Sequence, residues 1–343
     1  MKKKTKIIVG IGIFVVIIIF SAGSWAYYKL AFPCFNVKET VCVYIDKQKD
    51  FNDLLLQLQI VGRIKDVRFF KQFSNVMKYP ERMKTGRYAI TPQISCTTFL
   101  QNLIRGNQTP VNLTFNGIRL KSEFAERIDL QLMLDKNELL CHLNDSSVCS
   151  TFGFDVQTID CMFIPNTYSV YWNISVDRFL NRMKKEYDQF WTSERLDKAA
   201  QIPLTPIQVS ILASIVEEES ATQAEYPVIA GLYINRLKRG MLLQSDPTVK
   251  YAVGDFTLKR ILFAHLETDS PYNTYKHAGL PPGPIRIPTI KGIDAVLNYT
   301  HHDYLYMCAK EDFSGQHHFA TTLAEHTLNA RRYQQALNRN NIR

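Results

Sequence analysis

Three consecutive glutamates, Glu217, Glu218 and Glu219, close an apolar stretch that reads Ile211-Leu212-Ala213-Ser214-Ile215-Val216. Neighbouring carboxylates do different chemistry only where their surroundings differ, because burial raises a carboxyl pKa and water leaves it alone. Thr205-Pro206-Ile207 opens the stretch as a helix, with threonine as N-cap and proline at the first helical position. On a wheel of about 100° per residue counted from Ile207, Ile207, Ile211, Ile215, Leu212, Val216 and Val209 fall at about 0°, 40°, 80°, 140°, 180° and 200°. Glu219 falls near about 120°, inside that arc, Glu218 near about 20° on its flank, and Glu217 near about 280°, opposite it. The spacing predicts that Glu219 faces the interior while its neighbours reach water. A carboxyl against apolar surface holds its proton near neutral pH, which suits a general acid. The bland alternative is a helix end with all three glutamates solvated.

Other polar groups cluster downstream. A helix from about Pro227 to Lys238 carries Asn235 and Arg236 and stops at Gly240. Gln244-Ser245-Asp246-Pro247-Thr248 follows, with Asp246 read as another N-cap. Pro271-Tyr272-Asn273-Thr274-Tyr275 and the stiff loop Gly279-Leu280-Pro281-Pro282-Gly283-Pro284 come next. His301-His302 and His317-His318 lack the spacing of an HExxH zinc helix, so no metal is expected. No Walker A, GxSxG or GxGxxG motif is present, no cofactor is expected, and no nucleic-acid module is recognisable.

The elements that must hold these groups belong to a chain of 343 residues, long enough for two modest domains. A hydrophobic fraction of 46% excludes wholesale disorder, and a net charge of +9 fits nucleic acid, an anionic membrane surface or an anionic polymer such as cell wall. Lys2, Lys3, Lys4 and Lys6 precede an uncharged apolar run over residues 7–28, long enough to span a bilayer. The expected order is a cytoplasmic tail over residues 1–6, a transmembrane helix over 7–28 with Trp25, Tyr27 and Tyr28 at the outer interface, and the rest outside. A cleaved signal peptide is the alternative, with Ser21, Ala22, Gly23 and Ser24 as small residues. The seven cysteines form no CxxC pair. Cys34–Cys42 and Cys141–Cys149 are the nearest in sequence for disulfides, and buried free thiols are the equal alternative.

The expected fold class is α+β: an N-terminal transmembrane helix, a small LysM-like module over residues 37–108 and a larger α+β catalytic domain over 109–343. In the first, Val41 to Ile45 and Gly86 to Thr91 read as strands. Phe51 to Ile60, Asp66 to Tyr79 and Cys96 to Arg105 read as helices, the last stopped by Gly106. Strand, two helices, strand is the pattern of carbohydrate-binding LysM-like modules; an unspecialised spacer is the alternative. In the second, Val111 to Phe115 starts the region, and Lys121 to Leu134 and Asp177 to Phe190 read as helices.

Leu212-Ala213-Ser214-Ile215-Val216-Glu217-Glu218-Glu219 resembles the L-A-S-I-V-E-x-E signature of the endolytic murein transglycosylases of the YceG-like (MltG) family. The resemblance continues through Tyr233-Ile234-Asn235-Arg236-Leu237, Leu243 to Val249, Ser270 to Tyr275, Gly279 to Ile285, Tyr304-Leu305-Tyr306 and His317 to His326. Lys84 to Tyr88 and Thr91-Pro92-Gln93 look like the end of the family's LysM-like part. Departures are Asp160, Cys161 and Asn166 where the family has glutamate, glycine and an acid, and Gln316 in its G-G-H stretch.

The resemblance implies cleavage of the MurNAc-β-1,4-GlcNAc bond of peptidoglycan glycan strands, 1,6-anhydroMurNAc ends and termination of strand growth. It makes Glu219 catalytic and implies penicillin-binding synthases as partners. Asn235, Gln244, Tyr272 and Asn273 are then expected to hold the sugar, with Glu217 binding substrate or orienting the helix. Asp246 and Glu217 are the nearest residues for a hydrolase's second carboxylate. The rival is a non-catalytic, membrane-anchored glycan-binding scaffold. A label carried by family members, aminodeoxychorismate lyase, would need a pyridoxal phosphate lysine in a cytoplasmic fold.

Overall fold

The computed structural model describes residues 2–258 and 260–340, without the side chains of residues 2–7, 9, 22 and 26. The described elements are α1 (Lys2–Ala31), β1 (Val41–Ile45), α2 (Phe51–Ile60), α3 (Val67–Val76), β2 (Gly86–Ile90), α4 (Cys96–Arg105), β3 (Val111–Thr114), α5 (Lys121–Asp129), α6 (Lys136–Asn144), α7 (Ser146–Thr151), β4 (Thr167–Val170), α8 (Val176–Phe190), α9 (Ser193–Gln201), α10 (Pro206–Glu219), α11 (Tyr226–Lys238), α12 (Asp246–Val253), α13 (Phe263–Leu266), α14 (Ile290–Leu297), β5 (Tyr306–Ala309), β6 (His317–Ala320) and α15 (Leu323–Arg339). The fold is mixed α+β, with two-stranded sheets pairing β1 with β2, β3 with β4, and β5 with β6.

The chain forms two compact units. Unit 1 comprises residues 1–113 with two returning segments, 131–133 and 168–174. In it, β1 and β2 pair antiparallel, Val43 opposite Tyr88, over a core of Leu54, Leu58, Phe70, Phe99 and Leu103. Local chemistry sets its boundaries. The Asp50, Asp66 and Ser95 side chains cap α2, α3 and α4, and Gly106 ends α4 in the left-handed region. Helix α1 contains 22 residues, Gly10–Ala31, long and apolar enough to cross a membrane. The helix itself begins at Lys2, and Met1 lies outside the described residues.

The end of α1 is stitched to the module. Lys29 pairs with Asp66 at 2.9 Å, Trp25 meets Phe69 edge-on, and Thr97 donates to the Leu30 carbonyl. Beyond it, Pro33 bridges Ser95 and Phe35 bridges Ile64. All seven cysteines are free thiols. The pairings expected from sequence proximity do not form: Cys34 is buried beside Cys96, and Cys149 is buried whereas Cys141 is exposed.

Unit 2 holds residues 114–130, 134–167 and 175–343. Its core centres on α10, which packs against α11 and α14. Phe115, Phe124, Phe163 and Phe179 form an aromatic cluster beside α5 and α8. The helix expected over Lys121 to Leu134 ends at Asp129, because residues 131–133 leave for unit 1, where the Met133 amide donates to the Trp172 carbonyl.

Helix α10 starts as expected. The Thr205 hydroxyl accepts from the Gln208 amide, the Gln208 side chain returns a bond to the Thr205 amide, and Pro206 occupies the first turn. Replacing this cap should destabilise the unit locally without moving its core. Thr205→Ala is expected to cost about 1 kcal/mol, read from the urea midpoint. A midpoint unchanged within error would show that the cap does not hold α10.

Candidate active site

Helix α10 is not amphipathic. Every residue from Val209 to Glu217 is buried, polar ones included. The expectation that Glu217 faces water is therefore overturned: α14 covers the face the wheel left open. A Cβ at Gly292 would overlap the Glu217 carboxyl, so glycine is what lets α14 approach so closely. The Thr289 amide donates to Glu217 Oε1 at 2.8 Å and its hydroxyl donates to the same oxygen. Arg286 Nε lies 3.3 Å from Glu217 Oε2.

Glu218 is also neutralised. Arg119 grips it with Nε at 3.0 Å and Nη2 at 2.9 Å, and Arg286 Nη1 donates to it at 3.0 Å.

Among the described residues, no arginine or lysine pairs with Glu219. Its Oε1 accepts from the Tyr233 hydroxyl at 2.5 Å and from the Ser245 hydroxyl. It lines a pocket of about 200 Å³ with Gln244, Asp246, Tyr275, Arg236 and His317. The residue keeps some contact with solvent through that pocket, yet its carboxyl sits deep. Burial raises its pKa, Asp246 pushes the same way, and Ser245, Tyr233 and His317 pull down by less. The feature that separates Glu219 from its neighbours is thus the missing counter-ion, not the apolar arc.

The pocket's far wall is built by a strained turn. Gln244 adopts φ 52°, a left-handed backbone that non-glycine residues rarely take. Its amide donates to the Thr274 carbonyl, and its Oε1 accepts from Arg236 Nη1 at 3.3 Å. The turn delivers Ser245 and Asp246 to the pocket. Asp246 is not the N-cap of α12 but its first residue; its carboxylate accepts from Tyr275 at 2.6 Å. Ser245 holds the cap position and spends its hydroxyl on Glu219. Arg236 is buried and ties the turn to the Leu242, Leu243 and Leu305 carbonyls. His317 is fixed by Glu225 through Nδ1 at 2.9 Å and its amide at 2.8 Å.

Of the expected sugar-holding residues, only Gln244 lines this pocket. Asn235 spends its amide on the His302 and Tyr304 carbonyls. Asn273 is fully buried and closes its own turn through Leu266, Thr268 and Tyr275. Tyr272 lines a different pocket, beside Asp160. Glu217 is enclosed by Thr289 and Arg286. The Asn235 and Asn273 amides are engaged by backbone groups, and the Glu217 carboxylate by Thr289 and Arg286. Reasoning from sequence missed Tyr233, Ser245 and His317, whose roles depend on distant partners. His302 is bonded to the Val228 carbonyl and His318 to Glu311.

Comparison with known proteins bears on the same residues. Residues 43–332 match the YceG-like family. The chain is 45% identical over 122 residues to an endolytic murein transglycosylase of Bacillus subtilis, covering 36% of this chain and 33% of that protein. It is 25% identical over 355 aligned residues to an endolytic murein transglycosylase of Streptococcus pneumoniae, covering 93% of this chain and 64% of the relative. A crystal structure of a YceG-like protein from Listeria monocytogenes superposes with a TM-score of 0.55 at 26% identity, covering 85% of this chain and 99% of that one. The chain thus spans less than two thirds of the length of these two transglycosylase relatives.

The counter-ion pattern makes two opposed predictions. Arg286→Met strips the partner from Glu217, whose side chain is 2% exposed, and should cost roughly 3–5 kcal/mol, as for a broken buried pair. Glu219→Gln removes a carboxyl without a cation and should leave the neutral-pH Tm unchanged or higher. The sign follows from linkage. The native Glu219 pKa lies above the ordinary value of 4.5, so the folded state binds the extra proton. Wild-type stability should fall as pH rises through that window, and the Glu219→Gln difference should vanish below it. A Glu219→Gln Tm lowered at neutral pH and restored in acid would reverse the assignment.

Proposed function

This chain belongs to the YceG-like family, and from that premise we propose that it is a lytic transglycosylase that cuts peptidoglycan glycan strands internally. The observation that carries the reading is Glu219: a deep carboxyl, without a cation, held by two hydroxyls at the floor of a pocket. The names of the transglycosylase relatives support the same chemistry.

Glu219 serves as the single acid/base. Protonated, it delivers its proton to the oxygen linking MurNAc C1 to GlcNAc C4 as the C1–O bond breaks and positive charge gathers at C1. The resulting carboxylate takes the proton of the muramic C6 hydroxyl, and O6 closes on C1. One bond breaks, one forms, no water is consumed, and a 1,6-anhydro end results. Tyr233 and Ser245 position the carboxyl, and Asp246 raises its proton affinity. Gln244, Tyr275 and His317 line the pocket that takes the sugar.

The apolar length of α1 supports a membrane address for this activity. Helix α1 anchors the chain in the cytoplasmic membrane, its N-terminal lysines inside, and unit 2 is the catalytic domain outside. The strand–helix–helix–strand order of unit 1 supports a LysM-like glycan-binding role. A membrane-proximal cutter acts on nascent strands, ends their elongation and works beside penicillin-binding synthases.

One observation favours a second reading: Asp246 lines the same pocket as Glu219. As general base it would activate water and make the enzyme a hydrolase. Purified protein incubated with glycan strands separates the two by mass spectrometry. Anhydro-muramic ends are expected, and reducing muramic ends would establish the Asp246-assisted hydrolase instead. Glu219→Gln should lower the rate by roughly 10²–10⁴-fold with the fold intact by thermal melt. Glu218→Gln should retain far more activity provided its melt is unchanged. Binding without turnover in the wild type would leave only the scaffold.

A further inference from the structure

A second pocket in unit 2 takes no part in this chemistry. It measures about 360 Å³ and is lined by Lys121, Gln157, Asp160, Tyr251 and Tyr272 together with apolar neighbours. Asp160 is buried, and its Oδ1 has no hydrogen-bond partner among the described residues. Burial pushes its carboxyl up to about 6, with Lys121 opposing. Such an oxygen costs folding energy unless something donates to it.

Lys121 is not that donor. Its ammonium has three protons, and they are directed to the Leu143 carbonyl at 2.8 Å, the Val156 carbonyl at 2.5 Å and Asn144 Oδ1 at 3.3 Å. The lysine therefore offers no free hydrogen bond to a phosphate or carboxylate, and the open group is an acceptor. Beside it, the Tyr251 and Tyr272 rings lie 4.8 Å apart, tilted by 45°. Gly283 keeps this wall in place, since a Cβ there would overlap the Gln157 carbonyl oxygen and crowd the Tyr272 hydroxyl.

Helix α12 connects the two pockets. Asp246 lines the Glu219 pocket; Pro247, Lys250 and Tyr251 line an intermediate pocket of about 60 Å³; and Tyr251 also lines the Asp160 pocket. Asp246 and Tyr251 stand five residues apart on it, about 7.5 Å along the helix axis. We propose that the Asp160 pocket is a distal subsite for a neutral, N-acetylated sugar unit of the strand held at Glu219, with Asp160 accepting from a hydroxyl or acetamido N–H and the two packed tyrosines forming one wall beside the sugar. This rests on the glycan-cutting reading of the Glu219 site.

The test is equilibrium binding, which needs no turnover. The full chain in detergent, carrying Glu219→Gln, is titrated calorimetrically with a peptide-free hexasaccharide from cell-wall glycan. Adding Asp160→Leu removes the acceptor at similar volume, and adding Asp160→Asn tests a milder change should leucine disturb folding. The Asp160→Leu variant should weaken hexasaccharide binding at least tenfold while Tm stays level or rises, because the unsatisfied oxygen is gone. Hexasaccharide affinity unchanged in folded Asp160 variants would overturn the subsite and leave the Glu219 reading standing. No hexasaccharide binding to the Glu219→Gln chain or to the wild type would remove the glycan reading and this proposal together. A loss confined to peptide-bearing strands would overturn the sugar assignment in favour of a peptide ammonium.

Discussion

The Arg286 guanidinium lies between two glutamates of a run of three, within 3.3 Å of Glu217 and 3.0 Å of Glu218. Arg119 completes the neutralisation of Glu218. Without these cations, three adjacent carboxylates at the end of a buried helix would repel one another and share any rise in proton affinity. With them, Glu217 and Glu218 face guanidinium partners, whereas Glu219 is held by the Tyr233 and Ser245 hydroxyls. The asymmetry among the three carboxyl groups is therefore built by partners outside α10, and the helix supplies only the backbone that carries the three side chains.

That dependence explains how α14 and the Gln244 turn are arranged. The first approaches α10 closely because Gly292 has no side chain, and Thr289 then satisfies the oxygen of Glu217 that Arg286 leaves open. The second accepts a left-handed backbone at Gln244, which brings the Ser245 hydroxyl to Glu219. Buried Arg236 holds that turn through three carbonyls, so its strain is offset by charge-assisted bonds.

What could be read from the sequence was mostly local. Caps and stops at Asp66, Ser95, Gly106 and Thr205 act within a few residues, and the strands and helices they bound lie close to where patterning puts them. The choice of Glu219 from a helical wheel reached the residue that lines the pocket, but by a mechanism the structure does not use, since α10 is buried all round. Arg119 and Arg286 lie 99 and 68 residues from Glu218, and no local pattern marks such pairing. Asn235 and Asn273 look like ligand-binding amides in sequence because backbone carbonyls that claim them are equally invisible there. Cysteine proximity failed for the same reason: Cys34 finds Cys96 across the fold rather than Cys42 along the chain.

The seam between α1 and the module carries a consequence for turnover of the protein itself. Surface shedding requires a protease to seat several extended residues in its cleft, and segments that are already unpaired are cut first. Here the stretch after Ala31 is no free leash. The Cys34 amide donates to the Ile94 carbonyl, the Lys65 amide to the Cys34 carbonyl and the Asn36 amide to the Arg63 carbonyl, with Phe35 buried between them. A protease would have to wait for those bonds to open together, so cleavage in this stretch follows the local unfolding equilibrium of unit 1 rather than the accessibility of a linker.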